Sequence, residues 1–94
     1  MDDDEFEWDE DKAADNYARH GVSFETGRAV FKDVFAVEGF DDREAYGEDR
    51  FTIIGMAEGT LLFVVYTPRE RRLRLISARR ATKHEQDDYY QQNA

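Results

Sequence analysis

Phe6-Glu7-Trp8 alternates apolar and polar, the pattern of a short strand able to pair onto a sheet edge. Asp9 then stands where an N-cap belongs, with Glu10 and Asp11 in a first turn that favours negative charge. Ala13, Ala14, Tyr17 and Ala18 recur at helical spacing as a narrow apolar stripe, and Gly21 closes the helix just after His20. A second helix is predicted from Ser23 as N-cap to about Lys32, with Phe24, Ala29, Val30 and Phe31 inward and Gly27 as its one weak position.

From Val34 the pattern changes to strands. Val34-Phe35-Ala36-Val37 is a short β-prone run, and residues 39–49 read as a polar loop. Residues 51–55 alternate, and Glu58-Gly59 marks a turn. Leu61 to Tyr66 is apolar on both faces, as in a central strand covered on both sides, and Pro68 is predicted to end it. Leu73, Leu75 and Ser77 then alternate with Arg72, Arg74 and Ile76 in a last strand to about Ala78. Thr82 and Glu85 form a capping box that opens a C-terminal helix. The order is two helices, an antiparallel sheet of three to four strands, then a helix, which is an α+β fold.

Length adds that the 94 residues form one domain, 1–94, with an ordered core over about 6–90 and an acidic tail at 1–5. The net charge of −9 speaks at first against a nucleic-acid partner. Its distribution reverses that. Eight acids and no base occupy residues 1–11, whereas residues 66–84 hold seven bases and the single acid Glu70. The chain has a basic body with acidic ends. The sequence has no cysteine, hence no disulfide or thiolate chemistry, which suits a reducing cytoplasm. No apolar run approaches the roughly 20 residues that span a bilayer. The acidic start is unlike an export signal, so no membrane is expected as a partner.

Candidate chemistry is sparse. No metal-ligand or phosphate-loop spacing is present, and no cofactor or metal is expected. Asp41-Asp42, adjacent in the predicted loop, is expected to face water. Lys12, Asn16 and His20 are spaced four apart and are predicted to line the helix face away from the alanine stripe. That face admits two readings, an ordinary solvated surface or a catalytic one, and a histidine in a last helical turn is favoured by the helix dipole alone. Arg72 and Arg74 share a strand face, and Arg69 and Arg71 lie in the turn before them. Arg79, Arg80 and Lys83 gather where the last strand meets the last helix. The cluster suits an anion site built from guanidinium forks, or internal pairing with the abundant acids.

Phe6-Glu7-Trp8-Asp9, Lys12, Asn16 and residues 20–24 resemble the opening of the BrnT family, the toxins of BrnT/BrnA type II toxin–antitoxin pairs. Residues 30–33, 48–51, 54–55 and 73–82, with Glu85 and Tyr89, continue the resemblance in order over about residues 6–90. It implies a RelE-like fold and a ribonuclease that blocks translation by cutting RNA with the 2′-hydroxyl as nucleophile, without a metal. It also implies a cognate BrnA-like antitoxin of ribbon–helix–helix type, through which alone DNA would be contacted.

Within that expectation His20 is the acid or base candidate, because imidazole titrates near neutrality. Arg50, Arg79 and Arg80 suit phosphate binding and charge stabilisation, and Lys12 suits positioning of the scissile phosphate. Arg72, Arg74 and Lys83 extend the RNA-binding strip, and Tyr66 or Tyr89 could stack on a base. His84 matches less well, and a helix N-terminus disfavours its protonation. The competing reading is a non-catalytic binding subunit whose basic strip holds an acidic partner protein.

Overall fold

The computed structural model describes residues 5–41 and 47–94. The Asp2-Asp3-Asp4 run and Asp42 therefore lie outside the described residues. Five strands form one sheet: β1 (Phe6–Glu7), β2 (Val37–Asp41), β3 (Arg50–Ala57), β4 (Thr60–Arg69) and β5 (Arg72–Arg80). The helices are α1 (Glu10–His20), α2 (Phe24–Gly27) and α3 (Lys83–Gln92), with a 3-10 turn over Arg28–Lys32 between α2 and β2. The strand order is β1-β5-β4-β3-β2. The α+β class holds, but the sheet has five strands and is mixed, because β1 runs parallel to β5 with Phe6 opposite Leu73 and Glu7 opposite Arg74.

The caps fall where the side chains require them. The Asp9 carboxylate accepts the Lys12 N–H at 3.1 Å, and this bond holds its pKa below the ordinary value. Gly21 takes φ +69 as the left-handed C-cap, and the Thr82–Glu85 capping box is complete. The predicted second helix is instead one α-turn followed by the 3-10 turn, and the expected strand at Val34 begins only at Val37. Close packing explains the break. Val30 is fully buried and lies so near β3 that a Cβ at Gly55 would come 2.9 Å from the Val30 Cβ. The narrower 3-10 winding fits this approach. Contrary to expectation, Pro68 sits inside β4. The β3–β4 register starts at Phe51 opposite Tyr66, so at Pro68 β4 has no β3 neighbour to miss the absent N–H.

Directly opposed residues share a sheet face, which sorts the core into two layers. On one face Phe6, Leu75, Ala78, Leu62, Val64, Tyr66, Ile53 and Ala57 pack with Trp8, Val22, Phe24 and Val30 beneath α1, α2 and the 3-10 turn. On the other, Ile54, Leu61, Ala81 and Tyr89 pack with Val37, Met56 and Phe63, and α3 meets β3 and β2. Between Val65 opposite Ser77 and Tyr66 opposite Leu75, Ile76 is a bulge. The bulge resets the alternation, so Ser77 and Arg79 follow Arg72 and Arg74 on the α3 face.

The buried side of α1 differs from the predicted one. Ala14, Tyr17 and Ala18 are exposed, while Asn16 is 6% exposed and faces β5. β1 stops opposite Arg74, which leaves Ala78 on an open sheet edge. The Asn16 carboxamide accepts the Ala78 N–H at 3.1 Å and donates to the Ala78 carbonyl at 2.8 Å, as a neighbouring strand would. It also donates to the Val22 carbonyl at 3.0 Å, fixing the entry to α2.

Asp33 ties three elements together. Its carboxylate accepts the Phe35 N–H, the Met56 N–H of β3 at 2.8 Å and the Tyr89 hydroxyl of α3 at 2.7 Å. Burial opposes its charge, but these donors outweigh it and hold its pKa below the ordinary value. Glu85 is likewise depressed: burial opposes its charge, and Arg79 and the Thr82 N–H outweigh it. A lowered folded pKa stabilises the fold above the unfolded value and loses that contribution as pH falls through the folded one. Stability is therefore expected to drop from the ordinary carboxylate values of 3.8 and 4.5 downward. Acid titrations of Asp33→Asn and Glu85→Gln should each show a shallower drop; a drop as steep as the parent's would refute these sources.

Glu58 and Gly59 form the two-residue β3–β4 turn with φ +51 and +79. Asparagine tolerates the left-handed region better than glutamate, so Glu58→Asn should stabilise by about 0.5–1 kcal/mol. A thermal midpoint raised by a few degrees would register it, and an unchanged or lower midpoint would contradict it.

Candidate nucleic-acid interface

α3 covers the β2–β3 side of its sheet face, and none of the described helices covers the β5 side. Alternation and register bring five arginines to this face: Arg50 on β3, Arg69 on β4, and Arg72, Arg74 and Arg79 on β5. Arg72 to Arg79 spans about 20 Å along the strand. Among the described residues, carboxylates are seen on Arg50, Arg69, Arg74 and Arg79. Arg74 donates to Glu7 at 2.7 Å, and Arg79 makes two parallel bonds to Glu85, each 2.8 Å. Glu48 bridges Arg50 at 3.3 Å and Arg69 at 3.7 Å.

Arg79 is the most constrained of these cations. Its guanidinium lies 4.3 Å above the Phe63 ring centre, and its side chain is 31% exposed. Both Glu85 oxygens accept from it, and one also takes the Thr82 N–H of the capping box. The helix cap thus fixes the arginine fork, and Arg79 Nη1 also donates to the Arg80 carbonyl at 3.1 Å.

Of the residues expected to carry chemistry, the structure gathers Arg50, Arg79, Arg72 and Arg74 on this face. It does not bring Lys12, His20, Arg80, Lys83, Tyr66 or Tyr89 into the same set. Lys12 and His20 are exposed near opposite ends of α1, and no described hydrogen bond or ion pair joins either to the arginines. Arg80 is exposed and lies opposite Leu62, so it projects toward the other side of the sheet. Lys83 pairs with Asp87 on the exposed surface of α3. His84, also on α3, is 3.6 Å from Asp88.

Neither tyrosine is placed to stack on a base. Tyr66 is 6% exposed beneath the helical layer, with its hydroxyl bonded to Glu38 at 2.9 Å and its ring against Phe31 and Phe51. Burial and Glu38 push its pKa well above the ordinary phenol value. Tyr89 is equally buried; burial and Asp33 push its pKa up to about 12. Asp41, expected to face water, is 5% exposed at the end of β2, directly opposite Arg50.

Three carboxylates that hold the arginines, Glu7, Glu48 and Glu85, were not singled out as site residues. Glu85 had a signal in the capping box, and Glu7 had one in the strand alternation that sets it opposite Arg74. Among the described residues no three His, Cys, Asp or Glu side chains gather as a metal-holding group. No helix among them is long and apolar enough to cross a membrane.

Orientated guanidinium forks on a sheet face that none of the described helices covers have the chemistry to hold phosphates or carboxylates. Residues 8–85 match the family model described as "Ribonuclease toxin, BrnT, of type II toxin-antitoxin system", and the chain belongs to that family. No curated protein matches the chain. The family is one of ribonuclease toxins of type II toxin–antitoxin systems, in which a toxin is paired with a cognate antitoxin.

Proposed function

We propose that this single-domain, RelE-like protein is a metal-independent endoribonuclease that inhibits translation in the cytoplasm. The observation that carries the proposal is the five-arginine face on a chain of this family and of net charge −9. RNA phosphates follow β5, where Arg72 and Arg74 bind the strand. Arg79 and Arg50 stabilise the charge that builds on the phosphorane when the 2′-hydroxyl attacks. Arg80 and Lys83 extend the positive potential beyond the strand end without touching the reacting phosphate.

Lys12 and His20, expected at the reacting centre, stand outside it in this reading. His20→Ala is therefore expected to keep cleavage within a few-fold of the parent. A loss of about 100-fold, typical of an acid–base group, would return His20 to the centre and refute the present assignment.

The partner in this proposal is a BrnA-like ribbon–helix–helix antitoxin, with DNA reached only through the complex. Val34 at 88% exposed, Phe35 at 57% and Tyr90 at 58% are apolar surface that supports a docking partner. Induced expression of the chain alone should arrest growth with decay of RNA, and co-expression of a neighbouring antitoxin gene should relieve both. Growth unaffected by the chain alone would count against the toxin reading.

One observation favours the alternative of a non-catalytic binding subunit. Arg50, Arg69, Arg74 and Arg79 already hold carboxylates, so acidic side chains of a partner could replace Glu7, Glu48 and Glu85. In that case Arg74→Ala abolishes complex formation while no preparation of the parent protein degrades RNA.

A further inference from the structure

Phe40, Phe51 and Tyr66 stand opposite one another on β2, β3 and β4, on the sheet face that carries the helical layer. Their rings form a continuous row. Phe40 meets Phe51 edge-on at 5.4 Å between centres, and Phe51 stacks on Tyr66 at 5.8 Å. Phe31 of the 3-10 turn covers Tyr66 at 5.0 Å, so one end of the row is closed. At the other end Phe40 is 56% exposed. A shallow groove of about 520 Å³ follows the row and reaches Pro68 and Leu73 at the β4–β5 hairpin. That volume falls within the usual range for small-ligand sites. Glu38 also lines it. The Tyr66 hydroxyl donates to Glu38 Oε1 at 2.9 Å and so holds the carboxylate against the rings. No described hydrogen bond uses the other oxygen, Oε2.

We infer that this groove binds one unpaired base of the RNA, away from the cut, and that Glu38 selects a base bearing an amino group. The inference rests on the ribonuclease reading and deepens it by adding a base-reading site to arginines that hold only phosphates. Exposed aromatic rings give a base a stacking surface, and stacking alone accepts every base. Glu38 Oε2 supplies the discrimination, because a carboxylate oxygen only accepts hydrogen bonds. It pairs with the amino group of adenine, cytosine or guanine. Uracil offers it one N–H flanked by two carbonyls, which repel it. An RNA strand that follows β5 past Arg74 and Arg72 reaches the hairpin turn, where Arg71 is exposed. Its next nucleotides pass over the end of the sheet into the groove, beside Pro68 and Leu73. The Arg71 cation there complements a nucleotide's phosphate, which an apolar side chain of a partner protein lacks. The scissile phosphate stays at Arg79, about 20 Å from Arg72 along the strand. The base read in the groove is therefore several nucleotides from the cut.

The test measures binding of short oligo(A), oligo(C) and oligo(U) strands, made non-cleavable by 2′-O-methyl groups, to the full chain. The parent should bind oligo(A) and oligo(C) more tightly than oligo(U). Phe40→Ala should weaken all three by about tenfold, the usual cost of losing one stacking ring. Glu38→Gln, which offers a donor as well as an acceptor, should remove the preference against oligo(U) without weakening oligo(U) itself. Glu38 is exposed, so this variant decides the matter even if Phe40→Ala lowers the thermal midpoint. An unchanged base preference in Glu38→Gln overturns the inference, as does binding by Phe40→Ala equal to the parent's. So does a Phe40→Ala variant that binds RNA normally but no longer holds the antitoxin, since the groove then belongs to the protein partner. If any of these occurs while the parent still cleaves unmodified RNA, the ribonuclease reading stands and only the base site fails. A parent protein that neither binds nor cleaves RNA removes both.

Discussion

Replacing Asn16 by leucine should cost about 3–5 kcal/mol, because three buried backbone groups lose their partner at once. The Ala78 N–H and carbonyl and the Val22 carbonyl all bond to this one carboxamide. Leucine fills a similar volume, so the loss reflects unmet hydrogen bonding more than a cavity. For a domain whose total stability is about 5–15 kcal/mol, the change approaches unfolding. Asn16→Asp should fall between the two, keeping the acceptor for Ala78 but losing both donors. Urea unfolding at constant slope would measure both variants. A loss below about 1 kcal/mol for leucine would show that water replaces the carboxamide at the sheet edge.

Arg79→Ala should reduce RNA cleavage by about 100-fold or more, the cost of removing a charge-stabilising donor from a phosphoryl-transfer site. Arg79→Lys should recover little of it. A lysine ammonium cannot make the two parallel bonds to Glu85 or keep a planar group over Phe63. The stability effect should be smaller than the catalytic one, because the pair is partly exposed and the Thr82–Glu85 cap survives. Arg79→Ala retaining most of the activity would place phosphate stabilisation elsewhere on the face.

Several local signals in the sequence led to the right local structures. The alternation at residues 6–8 gave β1, Gly21 gave the end of α1, and Thr82 with Glu85 gave the start of α3. What escaped depends on contacts distant in sequence. Lys12, Asn16 and His20 read as one polar face, yet Asn16 turns inward because β1 stops short and leaves Ala78 unpaired, a fact about strand lengths in the folded sheet.

The arginine face shows the same division. Arg72 and Arg74 were legible as neighbours from strand period alone. Arg79 joins them only because Ile76 is a bulge, which no local pattern announces. The tyrosines were misplaced for a related reason: a phenol hydroxyl looks available in sequence, but Glu38 and Asp33, dozens of residues away, occupy both. The charge total changed meaning as well. Glu7 and Glu85, counted among the acids against RNA binding, are the groups that orientate Arg74 and Arg79.

The central claim is that this arginine face cuts RNA with the RNA's own 2′-hydroxyl. Its most direct test incubates the purified chain with a defined single-stranded RNA in excess chelator and analyses the new ends. The account predicts cleavage that yields a 2′,3′-cyclic phosphate and a 5′-hydroxyl, lost in Arg79→Ala. RNA left intact across a range of salt, or cut only when a divalent metal is added, would contradict it.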